Sequence, residues 1–129
     1  MPKTKKQKIG KIGEDISCRF LIKHGFLVTE RNYWKKCGEL DIVVKKNNRI
    51  HFVEVKTVSY VSNIKNIDKY RPEDNLHKWK LKRLLKTIQI YLMEKNIPED
   101  FEWQFDIIVV FLDIKLKKAK VRYVDNIIL

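Results

Sequence analysis

The pattern of hydrophobic and polar positions centres on two apolar runs rich in β-branched residues, at positions 40–44 and 50–55, with a short polar segment between them. This pattern predicts the two strands of a β-hairpin. Asn47 and Asn48 are the expected turn, because asparagine tolerates the positive φ angles that a two-residue type I′ loop requires. The segment from 38 to 57 is therefore predicted to form a hairpin.

The predicted turn also sets the register of the two strands. Counting outward from it places Asp41 opposite Glu54 and Glu39 opposite Lys56. Side chains alternate between the two faces of a strand, so Glu39 and Asp41 share one face, as do Glu54 and Lys56. Opposed Cβ atoms in such pairs lie about 5 Å apart. One face of the hairpin is therefore expected to carry three carboxylates and one ammonium group.

Before the hairpin, the pattern predicts a helix followed by a strand. Apolar residues recur at helical spacing over positions 9–24, and Gly25 is a suitable residue to end that helix. Positions 26–31 have the composition of a strand, and positions 1–8 are expected to be a flexible basic tail. The expected buried stripe of the helix consists of Ile12, Ile16, Phe20 and Leu21.

After the hairpin, the pattern is weak from 58 to 74, and a connector of that length indicates a functional or mobile loop. A helix is predicted over positions 73–95. The apolar run at 103–111 predicts a strand that is covered on both faces, parallel to the second hairpin strand because a helix separates the two. Positions 121–124 predict an edge strand. The helix is expected to place Leu81, Leu84, Leu85, Ile88 and Leu92 toward the core.

These elements follow the order helix, three strands, helix, two strands. This order predicts an α/β fold with a mixed sheet of about five strands and helices packed against it. A chain of 129 residues is large enough for one hydrophobic core and too short for two. We therefore expect one domain that spans positions 1–129.

Composition adds a candidate partner. The net charge of +12 favours a polyanion, and nucleic acid is the first candidate, although lysine-rich composition accounts for part of the charge. The sequence contains no apolar stretch long enough to span a membrane, and we expect no signal peptide. Cys18 and Cys37 do not form a CxxC motif, so a cytoplasmic protein without a zinc site or a disulfide is expected.

The carboxylates of the predicted hairpin suggest metal chemistry. Asp41 and Glu54 would repel each other unless a positive charge lies between them, and Mg²⁺ or Mn²⁺ suits one or two carboxylates. Lys56 beside such an ion could orient the attacking water and offset charge on a phosphoryl group. The alternative is a solvated sheet face on which Glu39 and Lys56 form an ordinary ion pair. Val43 and Phe52 on the same face favour a covered face instead.

Two basic segments are candidates for contact with nucleic acid. Lys78, Lys82 and Lys86 recur every four residues and would form a basic ridge on the second predicted helix. Such a ridge is also typical of a solvated helix face. The aromatic and basic segment 33–36 could stack bases and hold phosphates, or it could be a loop that packs its own side chains.

The spacing of Asp41 and the Glu54-x-Lys56 motif resembles the PD-(D/E)xK phosphodiesterase superfamily, whose fold is restriction-endonuclease-like. More specifically, the chain resembles the YraN family of small bacterial endonuclease-like proteins. The resemblance extends from Gly10 to about Val110. The matching pieces, in order, are Gly10-x-x-Gly13-Glu14, Arg31-Asn32, Gly38-Glu39-Leu40-Asp41, Phe52-Val53-Glu54-Val55-Lys56-Thr57, Lys78 and Phe105-Asp106.

The resemblance implies roles for further residues. It implies that Glu14 is an accessory carboxylate of the metal site, whereas its position near a helix N-terminus would also suit a purely structural anion. It implies that Lys78 approaches the site. The chain departs from the family pattern at Val58 and Gln104, where arginine is usual. The residues expected to contact phosphates or bases are Arg31, Asn32, Lys36, Lys78 and Lys82.

The sequence thus predicts a Mg²⁺- or Mn²⁺-dependent nuclease acting on DNA, with branched or otherwise structured DNA as a candidate substrate. Asp41 and Glu54 would hold the metal, Lys56 would act on the water, and Glu39 and Glu14 would assist. The competing hypothesis is a binding module of the same fold that holds nucleic acid without cutting it. Enzymes of this superfamily often act as dimers, so a homodimer is also a candidate.

Overall fold

The computed structural model of the chain describes residues 2–61 and 69–129. Within them, neither α-helix is long and apolar enough to cross a membrane. The elements in chain order are helix α1 (Lys5–Lys23), strands β1 (Leu27–Lys35), β2 (Gly38–Lys46) and β3 (Arg49–Tyr60), a short 3₁₀ helix (Pro72–Asn75), helix α2 (Lys78–Glu94), and strands β4 (Trp103–Asp113) and β5 (Lys118–Ile127).

The strands form one mixed sheet in the order β1-β2-β3-β4-β5. All neighbouring strands are antiparallel except β3 and β4, which are parallel and are joined through α2. The predicted parallel crossover and the predicted edge strand are therefore confirmed. This is a restriction-endonuclease-like α/β fold, as the sequence led us to expect.

The central hairpin has the predicted turn and register. Asn47 and Asn48 both adopt positive φ angles, of 52° and 59°. The pairing of β2 with β3 runs from Lys46 opposite Arg49 to Ile42 opposite Val53. Local turn chemistry thus places Asp41 and Glu54 just beyond the last of these pairs.

Two hydrophobic clusters cover the two faces of the sheet. The cluster on the α2 side includes Phe52 from β3 with Leu84 and Ile88 from the helix. The cluster on the α1 side includes Val53 from β3 with Leu21 from the helix. Residues Ile107–Val110 of β4 alternate between these clusters and are fully buried or nearly so. A strand covered on both faces explains why this run is almost continuously apolar.

Helix α1 begins earlier than the sequence pattern indicated. Thr4 is its N-cap, and the side chains of Thr4 and Gln7 form a reciprocal capping box. Such a box satisfies two backbone N–H groups that the first helical turn leaves without partners. The prediction of a flexible basic tail over positions 1–8 is therefore wrong for residues 5–8, which belong to the helix.

The predicted buried stripe of α1 is confirmed except at Ile12: Leu21 is fully buried, and Ile16 and Phe20 pack against the same cluster. Ile12 is 48% exposed, whereas Gly13, Ser17 and Leu21 face the sheet. Gly13 approaches β3 so closely that a Cβ atom there would lie 1.9 Å from Thr57 Oγ1. Small residues at the contact let the helix pack closely on the sheet. A prediction based on the spacing of large apolar residues does not detect them. Gly25 follows the helix with φ of +86°, as expected of a helix stop.

Two other boundaries differ from the prediction. Strand β1 continues to Lys35 because it pairs with β2 along its length. The predicted loop is therefore wrong for residues 33–35, while Lys36 lies in the turn that leads into β2. Helix α2 begins at Lys78, and a 3₁₀ helix that starts at Pro72 occupies the preceding positions. Part of the predicted loop, residues 62–68, lies outside the described residues.

Candidate active site

The candidate active site lies where β2 and β3 separate. Beyond the Ile42–Val53 pair, the Asp41 side chain takes over as acceptor: its Oδ2 accepts a hydrogen bond from the backbone N–H of Val55 at 2.8 Å. Asp41 is held in place by this bond at the end of the paired segment. The strand geometry therefore orients the carboxylate without a loop.

Asp41 and Glu54 are in direct contact. Burial raises the pKa of Asp41 well above its ordinary value of 3.8, and the hydrogen bond to Glu54 and the charge of Glu54 raise it further. The bond from the Val55 N–H acts in the opposite direction but does not cancel these effects. The raised pKa of Asp41 means that its buried position favours the protonated form when no cation is bound. Two acidic groups crowded into one buried position are typical of sites that need a cation.

Glu14 and Glu39 join this pair through Asn32. With its amide nitrogen turned toward them, Asn32 donates to Glu14 Oε1 at 3.0 Å and to Glu39 Oε1 at 3.2 Å. Burial and then the charge of Glu39 raise the pKa of Glu14, while burial and then Glu54 raise that of Glu39. The four carboxylates therefore form one electrostatically connected group. The structure brings together the acidic residues that the sequence analysis singled out.

The backbone at Asn32 explains how carboxylates from α1 and β2 meet. Asn32 has a positive φ of 53° within β1. On either side of it, Arg31 contacts Asp15 of α1 whereas Tyr33 belongs to the cluster on the α2 side. Residues two apart in a regular strand would share a face. The alternation of β1 is thus interrupted at Asn32.

The same interruption occurs in the paired segment of β2. Ile42, opposite Arg31, packs on the α1 side, whereas Leu40, opposite Tyr33, packs on the α2 side. Asp41 lies between them. The regular alternation of faces is therefore interrupted in both strands, next to Asn32 and Asp41.

A cavity of about 300 Å³, here called the acidic cavity, opens beside these carboxylates. Helix α2 forms its other wall. Lys80 places its Nζ 3.4 Å from Glu54 Oε2, and Arg83 donates from Nε to the carbonyl oxygen of Cys37 at 3.0 Å. The cavity is lined by Gly38, Glu39, Asp41, Glu54, Trp79, Lys80, Arg83, Leu84 and Thr87.

Of the residues that α2 contributes, sequence reasoning named only Leu84, as a core residue, and did not single out Trp79, Lys80, Arg83 or Thr87. The signal was present in the helical spacing: Lys80 lies four residues before Leu84, which itself lies four residues before Ile88. Leu84 and Ile88 are buried in the core, so the same face of α2 carries Lys80 toward the sheet. The polar end of a core-facing stripe is therefore the place to search for a cation that meets the site.

Lys56 lies in a neighbouring depression. It lines a second cavity of about 370 Å³, which shares Glu54, Trp79 and Lys80 with the acidic cavity and adds Tyr70. The side chain of Lys56 is exposed. Lys56 and Glu54 thus line one cavity, but Lys56 does not line the acidic cavity. The pairing of β2 with β3 ends at Ile42 and Val53, so it does not extend to the predicted pair of Glu39 and Lys56.

The residues predicted to contact nucleic acid do not all lie in the same kind of environment. Arg31 is partly buried and bonded to Asp15 at 2.8 Å, so it holds the acidic group of α1 in place. Lys36, Lys78 and Lys82 are exposed. Among the described residues, those that line the acidic cavity do not include these three lysines. Their contact with phosphates stays a prediction.

Asp106, a piece of the family resemblance, has a structural position. It is fully buried and accepts hydrogen bonds from His51 Nδ1 at 2.6 Å, from the Tyr123 hydroxyl, from Gln104 Nε2 and from the backbone N–H of Asn126. Such complete pairing is what a buried carboxylate requires. Asp106 therefore ties β3, β4 and β5 together.

The donor set of the acidic cavity suits a hard cation. Mg²⁺ is commonly bound through one or two carboxylates and completes its shell with water and substrate oxygens. Asp41 and Glu54 provide such a pair, and a divalent cation between them would offset the electrostatic repulsion among the neighbouring carboxylates. Within residues 2–61 and 69–129, however, no three His, Cys, Asp or Glu side chains are placed to hold a metal ion by themselves.

Comparison with known proteins finds one matching family model and several similar relatives. The family model described as "Uncharacterised protein family UPF0102" matches residues 13–110. A UPF0102 protein of Campylobacter jejuni (strain 81-176) is 38% identical over 105 residues, covering 81% of this chain and 85% of the relative.

Two further relatives extend the similarity over more of the chain. A UPF0102 protein of Campylobacter hominis is 34% identical over 123 residues, which cover 95% of this chain and 96% of the relative. One from Clostridium botulinum (strain Loch Maree) is 34% identical over 119 residues, covering 92% and 91%. The matched region contains all four carboxylates and the helix that faces them, and the chain belongs to the UPF0102 family.

Proposed function

We propose that the protein is a Mg²⁺- or Mn²⁺-dependent nuclease that hydrolyses phosphodiester bonds of DNA. The observation that carries this proposal is the contact between Asp41 and Glu54 in a cavity whose opposite wall supplies Lys80 and Arg83. Acidic groups on one wall suit a metal ion, and cations on the other suit a phosphate. Hydrolysis adds water across one P–O bond and leaves a phosphate monoester and a hydroxyl.

Each group has a role that follows from its position. Asp41 and Glu54 would hold the ion, which when bound supplies a Lewis acid and a more acidic water. Glu39 would accept hydrogen bonds from water in the cavity. Glu14, which Asn32 links to Glu39, would act as an accessory carboxylate behind it. Lys80, 3.4 Å from Glu54, would bind the phosphate next to the carboxylates. Lys56 would offset negative charge that develops on the phosphoryl group from the second cavity.

Arg83 and the exposed basic residues complete the proposed binding surface. Arg83 would clamp phosphate oxygens, because its guanidinium can donate two parallel hydrogen bonds. Lys36, Lys78 and Lys82 would contact more distant phosphates. We place this activity in the cytoplasm, on DNA that includes branched or structured forms, with a homodimer as the candidate assembly.

A second candidate function is a non-catalytic nucleic-acid-binding module. The observation that favours it is the lack of a ready-made three-ligand metal site among the described residues. Such a module would bind phosphates through the same basic side chains. Asp41 and Glu54 would then be a structural pair that holds no metal ion. The two functions differ in one requirement, because only the nuclease needs a divalent ion.

The test compares cleavage and binding in matched variants. Linear duplex, single-stranded and four-way DNA are incubated with the full chain in Mg²⁺ or Mn²⁺. Asp41→Asn and Glu54→Gln should each reduce cleavage by more than about 100-fold, since changes outside the ligands alone cost 10–100-fold. Both variants should still bind DNA in EDTA. Asp100→Asn, which removes an exposed carboxylate elsewhere, is the control and should cleave normally.

The outcomes separate the two candidates. Metal-dependent cleavage that both site variants lose supports the nuclease. Binding of DNA by a wild-type protein that fails to cut every substrate in both metals supports the binding module and overturns the nuclease.

A further inference from the structure

Trp79 exposes a large aromatic ring beside the carboxylates. It lies in the first turn of α2, is 58% exposed, and lines both the acidic cavity and the second cavity. The guanidinium carbon of Arg83 lies 5.7 Å from the centroid of its ring. The His77 ring is almost parallel to it, at 6° and 6.3 Å between centroids. The indole therefore has one cationic and one aromatic neighbour and keeps more than half of its surface exposed.

The second cavity combines two chemical features that nucleotides need. Tyr70 and Trp79 supply aromatic surface, while Lys56 and Lys80 supply positive charge. The two carboxylates that also line it are ion-paired, Glu54 with Lys80 and Glu73 with Arg122. Its volume of about 370 Å³ falls in the range of small-ligand sites, roughly 300–1,000 Å³. Stacking on aromatic rings and charge attraction to the backbone are the two interactions through which proteins bind single-stranded nucleic acid.

Glu54 connects this cavity to the proposed chemistry. It lines both cavities, and its carboxylate is 3.4 Å from Lys80 Nζ. A phosphate bound by Lys80 would therefore lie next to the Asp41–Glu54 pair, and the base attached to it would reach the face of Trp79. Trp79 and Lys80 line both cavities, so one nucleotide could contact the aromatic ring and the candidate site together.

We propose that Trp79 stacks on an unpaired base of the substrate and thereby makes the site selective for nucleic acid with single-stranded character. In an intact duplex, neighbouring pairs cover both faces of each base, so a base must leave the stack before a side chain can stack on it. Single strands, flaps and junctions offer such bases at low cost. This inference deepens the proposed function, since it names the substrate class of the same site.

Affinity measurements in EDTA test the inference without cleavage. The full-length protein is titrated against a labelled oligothymidine strand and against a hairpin duplex of similar length. Trp79→Ala should weaken single-strand affinity by roughly 5- to 150-fold, the range found when a stacking ring is removed. Duplex affinity should change by less than about twofold, because the phosphate contacts remain. Trp79→Phe should keep most of the single-strand affinity.

Trp34→Ala is the matched control, and it also tests the competing stacking candidate, the aromatic and basic segment 33–36. Trp34 is 69% exposed on β1 and lies opposite Glu39. It is not one of the described residues that line the two cavities. Removing it should leave both affinities unchanged. Because Trp34 and Trp79 are both exposed, neither substitution removes core packing, and circular dichroism should show folded variants.

Several results would overturn the inference. These are equal losses for single strand and duplex in Trp79→Ala, no loss for either, a loss in Trp34→Ala as large as in Trp79→Ala, or no single-strand binding by the wild-type protein.

Failure of the nuclease gives a different result. If no DNA is cleaved but Trp79→Ala selectively weakens single-strand binding, base stacking on Trp79 is supported as a feature of the binding module. If DNA is cleaved and Trp79→Ala binds single strands normally, the proposed nuclease activity is supported and base stacking on Trp79 is ruled out.

Discussion

The Asp41 carboxylate accepts the backbone N–H of Val55 at 2.8 Å, so a side chain replaces the carbonyl group that would continue the ladder between β2 and β3. This bond fixes one oxygen of Asp41 while the carboxyl group contacts Glu54. The same separation of the strands that ends the ladder creates the space for the acidic cavity. Fold and candidate chemistry therefore have one structural origin.

The first prediction concerns the proton on Asp41. Its pKa is higher in the folded protein than in the unfolded chain. Above pH 3.8, the folded state therefore keeps a proton on Asp41 that the unfolded state loses. The metal-free protein should therefore lose stability with rising pH in that window. Asp41→Asn mimics the protonated form, so its stability relative to wild type should increase by up to about 1.4 kcal/mol per pH unit.

Urea denaturation of both proteins in EDTA between pH 4 and 8 measures this difference. Mg²⁺ should release a proton from the wild-type protein and raise its melting temperature, but should do neither in Asp41→Asn. Parallel stability profiles for the two proteins would contradict the raised pKa of Asp41.

The second prediction concerns the bridge through Asn32. The charge of Glu39 raises the pKa of Glu14, second only to burial. Glu39→Gln should therefore lower the pKa of Glu14, which carbon-detected NMR titration of the side-chain carboxyl can follow. Glu99→Gln, an exposed change elsewhere, should leave that titration unaltered. A Glu14 pKa that is insensitive to Glu39 would separate Glu14 from the acidic group.

The third prediction distinguishes the site-facing lysine of α2 from the basic ridge. Lys80→Ala should lower the cleavage rate at saturating DNA, because Lys80 adjoins Glu54, and should reduce the salt slope of binding by about 0.9 per lost phosphate contact on duplex DNA. Lys78→Ala and Lys82→Ala should reduce the salt slope by a similar amount but leave the saturated rate unchanged. Equal effects of Lys78→Ala and Lys80→Ala on that rate would remove Lys80 from the site.

The fourth prediction concerns the contact of α1 with the sheet. Gly13→Ala would place a Cβ atom 1.9 Å from Thr57 Oγ1 and should destabilise the fold by about 1–3 kcal/mol as neighbouring groups shift. Gly10→Ala, in the same helix, meets nothing within 4 Å and should stabilise it by up to about 1 kcal/mol, because alanine favours helix. Chemical denaturation of both variants measures the difference. Destabilisation by both would show that helix flexibility matters more than the contact.

The sequence alone determined the features that depend on nearby residues. The Asn47-Asn48 turn defines its own φ angles, and with them the register that brings Asp41 and Glu54 together. The long apolar run of β4 indicates burial on both faces without reference to any partner strand. The ordered family motifs likewise identified the carboxylates that meet at the site. In each case the information lies within a few neighbouring residues or in the order of short motifs.

Tertiary structure alone decided the features that depend on distant contacts. Gly13 is buried because Thr57 lies against it, and Asn32 interrupts β1 where α1 and β2 contribute carboxylates. Lys80 faces Glu54 because α2 packs on the sheet through Leu84, while Lys78, two residues earlier, is exposed to solvent. A shift of two residues turns a helical side chain by about 200°. Only the packed position of the helix can therefore decide which of its lysines meets the carboxylates.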